Sequence, residues 1–168
     1  MTSKSDFTPE EWNLLGVTPF LVGTAVMRIG KSGLGTFKEI PKVFKGILAG
    51  AETYPDSELV KTLSSTEEAS QAEDRFGELI KGLKAKEVRA LTIEKLEEVK
   101  QILDAKTPAN EAEAYKKWLM DIAVKVAEAA KEGGHLGFGG VRVSEPEKET
   151  LRGFADALGV DVPPVAAA

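Results

Sequence analysis

Between residues 14 and 29 the only polar side chains are Thr18, Thr24 and Arg28. A helix that is apolar on nearly every side has no face to give to water, so other elements must surround it. The chain is therefore expected to build inward onto one central, buried helix. A membrane span is the competing reading, but the run is shorter than the ~20 residues a bilayer needs and holds Gly16, Pro19, Gly23 and a charge. The start of this helix is well specified, with Thr8 as N-cap, Pro9 where its missing N–H costs nothing, and Glu11 completing a capping box. Thr18-Pro19 predicts a kink or a restart.

The remaining apolar residues recur at helical spacing. After the break Gly30-Lys31-Ser32-Gly33-Leu34-Gly35, a capping box of Thr36 with Glu39 opens an amphipathic helix over residues 37–51, with Phe37, Ile40, Phe44, Ile47, Leu48 and Ala51 on one side and Lys38, Lys42 and Lys45 on the other. A short helical piece follows Tyr54-Pro55-Asp56 and runs through Leu63. Ser65-Thr66-Glu67-Glu68 is a third capping box, ahead of Ala69, Ala72, Phe76, Leu79, Ile80 and Leu83. A further helix carries Val88, Leu91, Leu96, Val99, Ile102 and Leu103, with an interruption expected near Thr92. Thr107-Pro108 separates it from a helix whose stripe is Tyr115, Trp118, Leu119, Ile122, Ala123, Val126, Ala127 and Ala130. Ser144 with Glu147 makes a fourth box for a last helix, and Gly159 is its C-cap.

Residues 133–143 are dense in glycine and read as a β-hairpin. A two-residue turn at Gly139-Gly140 pairs Phe138 with Val141 and Leu136 with Val143, and puts all four side chains on one face. The expected fold is all-α, a bundle of about six helices with one small hairpin at about 135–143 before the last helix. It forms a single domain over 1–159, and residues 160–168 make an extended or mobile tail. No repeat and no long linker divides the chain.

The 168 residues suffice for one real core. A net charge of -5 argues against a general nucleic-acid binder. The charge is uneven: residues 1–50 carry six Lys and Arg against four Asp and Glu, so an anionic partner would meet the N-terminal part. With no cysteine, thiol chemistry and thiolate zinc sites are excluded. The polar N-terminus lacks a signal-type apolar region, which places the protein in the cytoplasm.

Motifs that suggest chemistry fail on context. Ala25-Val26-Met27-Arg28-Ile29-Gly30-Lys31-Ser32 is one residue from a phosphate loop, but its interior continues the apolar helix where a strand is needed. Trp118-Leu119-Met120-Asp121, the corresponding apolar run ending in Asp, sits on an amphipathic helix. An anion site survives at Lys31, Gly33, Gly35 and Lys38, where a glycine loop leads into a helix N-terminus; the alternative is a plain connection. Glu132 and His135 have the spacing of one half of a di-iron site, but Gly133-Gly134 breaks the helix between them and no second copy exists. Adjacent pairs such as Glu67/Glu68 and Glu97/Glu98 diverge on a helix and share no site. Arg28 is expected to find a carboxylate or helix-end carbonyls. No catalytic residue, metal site or cofactor is implied.

Glu132-Gly133-Gly134, Leu136-Gly137-Phe138-Gly139-Gly140 and Val143-Ser144-Glu145, with the opening Phe7-Thr8-Pro9-Glu10-Glu11-Trp12, resemble a group of small uncharacterised bacterial all-helical proteins. That resemblance implies a helical fold and brings no activity with it. Val143-Ser144-Glu145-Pro146-Glu147 and Ala157-Leu158-Gly159 are more distantly similar to the TerB-like helical domains of tellurite resistance, in which the preceding connection is much shorter. No residue role follows from it.

These readings lead to a non-enzymatic cytoplasmic helical protein acting through contacts with another protein or with itself. The alternatives are a small-molecule or anion-binding module using the loop at 30–36, and peripheral membrane association through the lysine-bearing helix at 37–51, which the need for core-packing faces disfavours.

Overall fold

The computed structural model describes residues 2–30, 40–129 and 143–167. A 3-10 turn at Lys4–Asp6 precedes α1 (Pro9–Gly30). Then come α2 (Ile40–Leu48), α3 (Gly50–Thr53), α4 (Glu58–Leu63), α5 (Thr66–Leu79), α6 (Ala85–Lys106), α7 (Ala109–Ala129), α8 (Glu145–Leu158) and a last 3-10 turn at Pro164–Ala166.

Helix α1 is the hub. It packs against α2, α5, α6, α7 and α8, and an unbroken buried run from Val17 to Met27 shows that every side of it is covered. It is also the one helix among the described residues with the length and composition to cross a membrane, and 67% of that stretch is buried inside the fold. Its N-terminus carries the expected box: Glu11 N–H donates to Thr8 Oγ1 at 3.2 Å and Thr8 N–H to the Glu11 carboxylate at 2.8 Å. Pro19 does not interrupt the helix, which continues through it to Gly30.

Aromatic residues fill the space around α1. Phe20 stacks on Phe76 of α5 with centroids 5.5 Å apart and also meets Phe44 of α2, while Tyr115 and Trp118 of α7 meet edge to face. Such pairs add to the area they bury. Helix α6 runs without a break through Thr92, whose hydroxyl donates to the Val88 carbonyl at 2.7 Å one turn back. Arg28 ends at a carbonyl, donating to Leu83 O at 2.9 Å.

The C-terminal helix matches its sequence signals. Ser144 and Glu147 form the capping box, and Gly159 closes α8 in the left-handed conformation at φ 68°, which a residue without Cβ adopts freely. The chain then turns back onto α8. Ala166 is fully buried and its carbonyl accepts from Arg152 Nε at 2.7 Å.

The expected fold class needs one correction. The described residues form an all-helical bundle with no strand, so the β-hairpin expected at about 135–143 is not part of this fold. Residues 135–142 lie outside the described residues. Val143, which the pairing put in the second strand, is in none; it is 5% exposed and stands just before the N-cap of α8. An apolar residue in that place is explained by the core, to which Val143 belongs. Glycine supplies the freedom to turn but no packing, and a lone pair of strands is at best marginally stable in water.

Candidate functional site

The anion-site residues expected from the sequence, Lys31, Gly33, Gly35 and Lys38, lie outside the described residues, as do Glu132 and His135. The next two lysines on the same stretch, Lys42 and Lys45, belong to α2 and are exposed. They stand on the rim of a groove between α2 and α7.

Helix α2 is seated on the core by Val43 and Ile47, 2% and 1% exposed. Its approach to α1 depends on Gly23, where a Cβ would lie 2.7 Å from Val43 Cγ1 and within ordinary contact distance of Ile122 on α7. The absence of one methyl group on α1 thus lets Val43 of α2 pack directly onto its backbone. Gly46 is the opposite case. A Cβ built there meets nothing within 4 Å, so no neighbour excludes a side chain. A glycine inside a helix costs about 0.5–1 kcal/mol relative to alanine, and at Gly46 packing does not explain it.

Its consequence is a space. An open groove of about 290 Å³ is lined by Lys42, Val43, Lys45 and Gly46 of α2 and by Ile122, Lys125, Val126 and Ala129 of α7. Ile122, Val126 and Ala129 recur at i, i+4 and i+7, which puts them on one face of α7. The wall is mostly apolar, and among the described residues none that lines it is acidic. Lys42, Lys45 and Lys125 are all exposed, and none of them makes an ion pair among the described residues. The groove therefore offers an apolar floor with positive charge at its edge.

A second hollow of about 350 Å³ lies where α7 meets the C-terminal segment, lined by Glu113, Lys117, Met120, Asp121, Gly159, Val160 and Asp161. Most of its charged groups are already engaged. Lys117 pairs with Glu113 at 2.6 Å, and the Tyr54 hydroxyl donates to Asp121. Partial burial, and then the Asp121 carboxylate, push the Tyr54 hydroxyl well above its usual range and keep it a donor.

Among the described residues no group of three or more His, Cys, Asp or Glu side chains comes together as a metal site. Two buried carboxylates have structural work. Glu111, 5% exposed, accepts from Ser57 Oγ, Glu58 N–H and Leu59 N–H, and Glu147 caps α8. The buried polar atoms without a partner, on Thr2, Arg89, Thr107 and Trp118, are not on the groove lining.

No family model, curated protein or solved structure matches the chain. Its function is therefore argued from the groove itself.

The groove was only partly legible in the sequence. Lys42 and Lys45 stand out there as the polar face of an amphipathic helix. Lys125 and Gly46 carry no signal, because their meeting depends on how α2 and α7 cross.

Proposed function

We propose that this chain is a non-enzymatic helical binding module that takes a small ligand in the groove between α2 and α7. One observation carries the reading: an apolar-walled space of about 290 Å³ edged by three lysines with no ion-pair partner among the described residues. Ligand sites combine mainly apolar walls with a few placed polar groups, and this space stands at the small end of their size range.

The surface favours a ligand over a protein partner. Leu79, 39% exposed, is the one large apolar side chain left exposed among the described residues, whereas a protein-docking site usually presents a contiguous apolar patch. The apolar face of α2 supports the same preference over membrane association, because Val43 and Ile47 are committed to the core.

The test is a thermal-shift panel of small apolar compounds bearing anionic, neutral or cationic heads, run on the wild-type chain and on Gly46→Leu. A ligand of the folded state raises the melting temperature. At least one compound is expected to do so in the wild type and not in the variant, whose new side chain enters the groove. A panel in which nothing raises the melting temperature ends the proposal.

A further inference from the structure

Resting on the reading of the groove as a binding site, we propose that its ligand is a monomeric single-chain amphiphile with an anionic head, of the medium-chain carboxylate class. The α7 face from Ile122 to Ala129 covers eight residues, about 10 Å along the helix axis. That length and the volume of about 290 Å³ suit a thin aliphatic tail. The head is specified by charge. Lys42 and Lys45 stand on one bank and Lys125 on the other, with no acid among the described lining residues to neutralise them. In this arrangement the carboxylate sits at the lysine-bearing rim and its tail lies on Val43, Ile122, Val126 and Ala129. The lysine stems themselves extend the apolar wall, as long charged side chains do. Gly46 gives the tail its room, because any side chain there projects into open space.

The experiment measures binding of octanoate, decanoate and decanol by calorimetry and thermal shift, below the concentration at which each forms micelles. The proteins are the wild type, Gly46→Leu and the triple variant Lys42→Gln, Lys45→Gln, Lys125→Gln. Decanoate at about five times its Kd is expected to raise the wild-type melting temperature by about 2–4 °C. In the triple variant its affinity falls by about fivefold or more, while decanol affinity is unchanged. Gly46→Leu melts no lower than the wild type, since leucine is a far better helix former than glycine, yet it loses both ligands. Equal affinity of the wild type for decanoate and decanol, both blocked by Gly46→Leu, overturns the anionic head and leaves the groove as a binding site. Absence of binding by any compound overturns the groove as well. Co-sedimentation with phosphatidylglycerol vesicles without binding of monomeric decanoate also overturns the proposal, and makes the lysines a membrane contact.

Discussion

Pro19 has no N–H to give to the carbonyl of Leu15, yet α1 passes through it unbroken. The missing donor is replaced from another helix: the Tyr115 hydroxyl of α7 donates to Leu15 O at 2.7 Å in a fully buried position. Burial pushes this hydroxyl far above the usual tyrosine range, so it stays protonated and remains a donor. Beside it Thr18 Oγ1 donates to Leu14 O at 2.6 Å. Of the kink or restart that Thr18-Pro19 predicts, the restart does not occur, and a partner 96 positions away in the chain satisfies the carbonyl that proline leaves without a donor. Tyr115→Phe keeps the ring and deletes the donor, leaving the Leu15 carbonyl buried and unpaired. Its expected cost is about 1–3 kcal/mol of unfolding free energy, measured by denaturant titration, with ligand binding at the groove unchanged. A loss below about 0.5 kcal/mol would show that the carbonyl finds another donor.

At the scale of elements, the helices differ in where their caps come from. Helices α1 and α8 are capped within their own sequence, by Thr8 with Glu11 and by Ser144 with Glu147. Ser65 caps α5 as its spacing implies, but the box is only half made. Glu68 accepts from Lys4 Nζ at 2.6 Å and Trp12 Nε1 at 2.8 Å instead of from the Ser65 backbone. Helix α4 has six residues, too few to hold itself together; Ser57 Oγ accepts from Val60 N–H, and the N–H groups of Glu58 and Leu59 are taken by the carboxylate of Glu111 on α7. Glu111→Ala removes that acceptor and exposes nothing to replace it. The variant is expected to lose about 2–4 kcal/mol. Amide exchange should quicken in α4 before the rest of the molecule, and uniform quickening across all helices would contradict a local role.

For the molecule as a whole, the Glu68 contacts tie the N-terminal turn and α1 to α5. Partial burial alone would raise the Glu68 carboxyl, but hydrogen bonds from Lys4 and Trp12 outweigh it and hold the group below the usual carboxylate range. A carboxyl whose value is lower folded than unfolded stabilises the fold above its unfolded value. That contribution is lost as pH falls through the folded value. Glu68→Gln should therefore be less stable than the wild type near neutrality, with a gap that narrows as pH falls from about 6 to about 3. Melting temperatures across that range check it, and a gap that widens in acid would show that the paired carboxylate is not its source.

What the sequence determined alone is the all-helical class and the central place of α1, while the single helix expected over 37–51 is divided into α2 and α3. Capping boxes act within four residues, and an all-apolar helix has only one kind of environment open to it. The glycine-rich stretch at 133–143 gave a less reliable signal, since freedom to turn specifies no packing partner, and the described residues contain no strand. Only the tertiary structure decided that Tyr115 repairs the gap left by Pro19, that Glu111 caps a helix far from it in sequence, and that Gly46, Lys42, Lys45 and Lys125 border one space. The division has a physical reason: local hydrogen bonds and periodicity are written in neighbouring residues, whereas a cavity is what remains after whole helices have packed.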